Sequence, residues 1–135
     1  MTEEQLRQYL QDFDTYKIQV QTWKQCLAYD KNHSEMPAKI MRQLLRIEIL
    51  EKALEILESQ EQLVIKTHLI LKNTWDVTYA VCEDAWGSEN GRSLRTLKRM
   101  QSRGLQRMLA FIIHSDLEKY FLSSSPDTLL NCNPS

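Results

Sequence analysis

The sequence predicts an all-α fold, with two long N-terminal helices followed by a shorter helix, a turn and a basic helix. Three observations lead there. The 135 residues include only three glycines and three prolines, so the residues that interrupt helices are sparse. An apolar seam with heptad spacing runs from Leu6 to Leu27. Residues 91–109, GRSLRTLKRMQSRGLQRML, combine an apolar helical stripe with six arginines and lysines and no acid.

The seam consists of Leu6, Tyr9, Phe13, Tyr16, Val20, Trp23 and Leu27, at alternating steps of three and four. That spacing predicts one helix over residues 3–29 with a narrow stripe suited to lengthwise packing on another helix. Its aromatics are bulky for a parallel dimeric coiled coil, so packing within one bundle is favoured over a homodimer built on the same seven side chains. Residues 30–37, DKNHSEMP, read as a loop in which Ser34 can cap and Pro37 lies near a first helical turn. The next segment places Ile40, Leu44, Ile47, Leu50, Leu54 and Leu57 on one side of a helix of about 22 residues at 3.6 residues per turn. Glu48 and Lys52 form an i,i+4 pair on its exposed face.

Ser59, with Glu61 and Gln62 behind it, marks a break or a fresh helix start before LVIKTHLILK. Asn73 and Thr74 end that helix or cap the next. The short segment WDVTYAVCED presents Val77, Ala80 and Val81 as apolar positions, and AWGSENG supplies a turn with two glycines. The basic helix follows. The tail, SSSPDTLLNCNPS, has no periodicity and is expected to be disordered. This divides the chain into an N-terminal packing or oligomerisation region (1–60), a helical region carrying the basic helix (61–122) and a tail (123–135).

Charge is distributed unevenly. The formal net charge is −1, and residues 1–60 hold eight basic and ten acidic side chains. Arg92 to Arg107 hold six basic side chains and none acidic. At about 100° per residue, Leu94, Leu97, Gln101, Leu105, Met108 and Ile112 project within roughly 40° of one direction. Arg92, Arg95, Arg99, Arg103 and Arg107 project to the opposite side over an arc of about 120°. Lys98 leans toward the apolar border, where its stem can lie along the core edge. Gly104 lies near the apolar stripe and admits a second helix at close range.

A charged helix face is ordinarily a solvated one, but such faces mix signs, because like charges four residues apart repel. Here Arg95–Arg99, Arg99–Arg103 and Arg103–Arg107 are successive like pairs, which implies an anionic partner. Arginine predominates, and its planar fork suits phosphates and guanine edges. Nucleic acid is therefore favoured over a solvated face or an acidic protein surface. A short helix, a glycine-bearing turn and a basic amphipathic helix follow the order of a helix-turn-helix. Ala80 is small enough for the two helices to cross closely. In that geometry Arg92, Ser93, Arg95, Thr96 and Arg99 are candidates for base contact in double-stranded DNA, and Arg103 and Arg107 for phosphate.

The segments ALEILESQEQLVIKTHLI, TWDVTYAVCED and GRSLRTLKRMQSRGLQRML together resemble region 4 of sigma-70-like factors. They are closer still to phage transcriptional regulators of the ArpU and RinA type, as are the Leu6-Arg7-Gln8-Tyr9 start and Glu51-Lys52-Ala53-Leu54. The likeness spans roughly residues 4–112, and the longer turn carrying Trp86 departs from it. It implies a sequence-specific transcription regulator of phage or prophage late genes, with sigma-region-4-like packing and RNA polymerase as a further candidate partner. A phage DNA-packaging subunit, of the small terminase kind, and a helical partner-binding protein without DNA affinity are the alternatives.

No catalytic residues, cofactor or metal are expected. His33, His68 and His114 have no metal-ligand spacing, and no P-loop, GxSxG or dinucleotide fingerprint occurs. The acidic start MTEEQLRQYL is unlike a signal peptide, and no apolar run approaches the ~20 residues that span a bilayer. Three cysteines, at 26, 82 and 132, form no CxxC pair. A cytoplasmic, non-enzymatic protein with no membrane association is the expectation.

Overall fold

The computed structural model describes residues 1–29, 35–87 and 92–122, and among these the chain is all-helical. The expectations for Ser34, for the centre of the AWGSENG turn and for the tail lie outside the described residues.

The first helix, α1 (Glu3–Gln11), opens on a reciprocal cap. Thr2 Oγ1 accepts from the Gln5 amide at 3.1 Å, while Gln5 Oε1 accepts from the Thr2 amide at 2.9 Å. The seam predicts one helix to residue 29, but the structure interrupts it at Asp12, and α2 (Phe13–Tyr29) follows. Asp12 leaves helical geometry at φ −91°, ψ 1°, and its carboxylate draws the Gln8 side-chain amide. The redirection lets α1 lie against residues 66–70 and 94–114 while α2 runs along α3 (Ala38–Glu55). Leu6, Phe13, Tyr16 and Val20 are buried in this core, and Tyr9, Trp23 and Leu27 are half-buried. The seam thus serves the chain's own bundle. A homodimer built on these seven side chains would have to open that core.

Helix α3 ends at Glu55, so it is shorter than its apolar row suggests. Ser59 begins α4 (Ser59–Ile65) with Glu58 as its cap residue. Ile47, Leu50, Leu54 and Leu57 are buried as expected, joined by Ile49 and Ala53, because α3 is covered on two sides. Lys52 pairs with Glu55 at 3.6 Å, in place of the expected Glu48. After Ile65 the helix widens into a π-helical turn, Lys66–Ile70, closed by Leu71 N–H to Lys66 O at 2.9 Å. Asn73 terminates it, with both its amide and its side chain donating to Thr67 O. Thr74 then caps α5 (Trp75–Trp86) by accepting from the Val77 amide. Gly87 ends α5 at φ +82°, a conformation that suits only a residue without a side chain.

Helix α6 (Leu94–His114) is the longest and runs through two apolar clusters. Leu105, Met108 and Ile112 belong to the main core with α1, α2, α3 and α4. Leu97 and Met100 belong to a smaller cluster with Val64 and Cys82, flanked by Leu63, Trp75, Tyr79 and Trp86. The end of α6 is a Schellman turn: Leu117 N–H bonds Ile112 O, and Asp116, in the left-handed region, bonds Ile113 O. That turn aims α7 (Lys119–Leu122) back at the bundle, where Phe121 is fully buried. The Tyr9 hydroxyl and an Arg46 guanidinium nitrogen both donate to Phe121 O, and the Met1 amine pairs with Glu118.

The orientation of α5 differs from expectation. Val77, Ala80 and Val81 point outward, while Thr78 and Cys82 are buried and Trp75, Tyr79 and Trp86 flank the core. Two apolar stripes compete on this helix. The one with three large aromatics buries more area and prevails. The close approach of helices therefore does not occur at Ala80. It occurs at Gly104, where a Cβ would stand 2.6 Å from Ile65 Cδ1 and 3.4 Å from Leu57 Cδ1.

Candidate nucleic-acid interface

The start of the basic helix is set by Ser93. Its Oγ accepts from the Thr96 amide at 3.2 Å and lies 3.0 Å from Thr96 Oγ1. Arg92 therefore stands just outside the helix and Arg95 in its first turn. Two of the candidate contact residues, Ser93 and Thr96, already engage their hydroxyls with each other in the cap. Arg92, Arg95, Lys98 and Arg99 are all exposed. No carboxylate among the described residues lies within ion-pair distance of any of the four.

Lys98 is held by an aromatic stack. Its Nζ lies 5.8 Å from the centre of the Trp75 ring, and His68 stacks on Trp75 with ring centres 3.7 Å apart. The ring N–H of His68 at Nδ1 donates to Gln101 Oε1, and Gln101 is only 3% exposed. The π-helical turn, the start of α5 and the middle of α6 are thereby fastened together beneath the basic face. A polar Gln101 within an apolar stripe is explained by this bond, since a buried amide needs a partner.

Farther along, the ridge changes character. Arg107 Nη1 donates to Glu61 Oε1 at 3.0 Å and lies 3.8 Å from Glu58. Arg103 Nε lies 3.9 Å from Glu61 Oε2. The sequence expectation gave all five arginines one external anion, but Arg103 and Arg107 have internal carboxylates. Among the described residues Arg95 and Arg99 have none. The like-charge repulsion between Arg103 and Arg107 is offset within the fold, and that between Arg95 and Arg99 is not.

Sequence reasoning assigns no functional role to Glu61, His68, Trp75 or Lys98. Glu61 carried a readable signal, being an acid four residues from both Leu57 and Ile65 in an apolar row. Helix α5 carries Asp76, Glu83 and Asp84 and no base. Among the described residues no group of three His, Cys, Asp or Glu side chains could hold a metal ion, and no helix is long and apolar enough to cross a membrane.

Burial raises the Cys82 thiol above its ordinary value, which makes it a packing residue with little nucleophilic character. Comparison with protein-family models, curated proteins and solved structures returns no match for this chain.

Proposed function

We propose that the chain is a double-stranded DNA-binding protein of the transcription-regulator class, which places the N-terminal half of α6 in the major groove. The observation that carries this reading is the row of four exposed cations, Arg92, Arg95, Lys98 and Arg99, without a carboxylate partner among the described residues. Dimensions support it. An α-helix with its side chains is about 10–12 Å across, which matches the roughly 12 Å width of the major groove.

Arg95 and Arg99, one helical turn apart, are the residues assigned to base edges, where a guanidinium donates two parallel hydrogen bonds to guanine O6 and N7. Arg92 and Lys98 flank them and are assigned to phosphates on either side. Attraction comes from counterion release as these cations neutralise phosphates. The stack of His68, Trp75 and Lys98 fixes the tilt of α6 against α5 and limits the conformational entropy lost on binding. The assignment to phage or prophage late genes rests on the sequence resemblance alone.

The test is a gel-shift series on duplexes selected from a random pool. Selection is expected to return a defined motif. Arg95→Ala or Arg99→Ala is expected to weaken binding to it by about 1–3 kcal/mol and to relax preference at one position. A flat selection profile, or full binding by both variants, would remove the reading.

A further inference from the structure

Glu61 is the only charged side chain among the described residues that is fully buried, at 1% exposure. It stands on α4 facing α6 beside Gly104, its Cβ 3.7 Å from where a Gly104 Cβ would lie. The absent side chain brings the two helices close enough to enclose the carboxylate. An enclosed carboxylate requires donors. Oε1 accepts from the Glu58 amide at 3.3 Å and from Arg107 at 3.0 Å. Oε2 makes no hydrogen bond and has Arg103 Nε at 3.9 Å. Glu58 adds a second carboxylate beside Arg107. The lower ridge thus sets two cations against two anions, while the upper ridge has four cations and no paired anion among the described residues.

Building on the DNA reading, we infer that Glu61 limits the nucleic-acid footprint. Its carboxylate takes the place of a DNA phosphate at Arg103 and Arg107 and ends the contact of α6 at Arg99. The two arginines remain 54% and 43% exposed, so they stay within reach of a phosphate and are withheld by charge, with access left open. Glu61 is a positioning residue in this account. It fixes how many phosphates the helix neutralises and thereby the register in which the upper ridge meets the groove.

The experiment measures anisotropy of one labelled duplex across a salt series, from which the slope of log K against log salt counts the phosphates neutralised. In the native background Arg103→Ala is expected to leave the slope unchanged, whereas Arg92→Ala, at a cation assigned to phosphate, lowers it by about one. Glu61→Gln keeps the shape and the acceptor oxygen and is expected to steepen the slope by about one to two. In that background Arg103→Ala removes about one, while Arg107→Ala removes less, because Glu58 still faces Arg107. Glu55→Gln, the same charge change at an exposed site on α3, is the control and should leave the slope as it was.

A slope reduced by about one for Arg103→Ala in the native background overturns the inference. So does an unaltered slope for Glu61→Gln that retains its helical circular dichroism. Should Glu61→Gln not fold, the native-background comparison decides alone. Absence of salt-dependent binding by the unsubstituted protein would overturn the DNA reading and this inference together.

Discussion

Gly104 shows how one missing side chain places several others. Because α6 has no Cβ there, Ile65 Cδ1 and Leu57 Cδ1 fill the space and α4 lies against the basic helix. Alanine would recover about 1 kcal/mol of helix propensity, but overpacking a filled core costs about 1–3 kcal/mol, so the second effect prevails. Gly104→Ala is expected to destabilise by about 1 kcal/mol in denaturant melts. Combining it with Ile65→Val, which removes the obstructing methyl, should cost less than the sum of the two. Strict additivity would show that the close approach is not what makes the glycine necessary.

Tyr16 provides a residue-level test of the main core. Burial pushes its phenol from 10.0 to about 12, against the pull of the Arg46 charge. The folded chain therefore holds this proton more tightly than the unfolded chain. Tyr16's contribution is complete below about pH 10 and falls as pH rises toward 12. Denaturation midpoints measured at about pH 9 and pH 11 should drop more for the native protein than for Tyr16→Phe, which carries no phenol to ionise. An equal drop would indicate that Tyr16 does not titrate from within the core.

At the scale of elements, the shortest helix has the clearest anchor. Helix α7 has four residues, too few to persist without tertiary packing. It is held through Phe121, whose ring centre lies 4.8 Å from that of Tyr9 and 6.0 Å from the Arg46 guanidinium carbon. Phe121→Ala is expected to cost about 3–5 kcal/mol and to expose the amides of residues 119–122 to hydrogen exchange. A loss below about 1 kcal/mol would mean that α7 only rests on the bundle.

Elements also divide into those legible in sequence and those that are not. The seam from Leu6 to Val20, the row from Ile47 to Leu57 and the apolar stripe of α6 are periodic over several turns, and their burial follows from that period. The bend at Asp12 was not legible, because the apolar spacing continues through it. Neither was the π-helical turn at Lys66–Ile70, which is a change of hydrogen-bond partner without a side-chain signature. Helix α5 offers two stripes to the sequence, since Val77 and Val81 satisfy helical spacing as well as Trp75, Tyr79 and Trp86 do. Which stripe packs depends on the area that α4 and α6 offer. The basic face itself was legible from charge. The pairing of Arg107 with Glu61, 46 residues away in sequence, is a tertiary fact that no local pattern encodes.

Over the whole molecule, a net charge of −1 is compatible with a locally positive surface because the signs are segregated. Helix α5 carries acids and no base, whereas the start of α6 carries exposed cations, and on the proposed reading such segregation of sign favours one approach to a polyanion. Such a face raises encounter rates at low salt and repels wrongly oriented approaches. Helix α6 belongs to both apolar clusters, so the bundle formed by the N-terminal helices serves as the rigid mount for the basic ridge.

The most direct test of the central claim is the salt dependence of binding by the unsubstituted protein to a selected duplex. Arg92 and Lys98, the two cations assigned to phosphates, at about 0.9 ions released per phosphate predict a slope of roughly −2. A slope near zero, or no binding at all at low salt, would contradict the assignment of α6 to DNA.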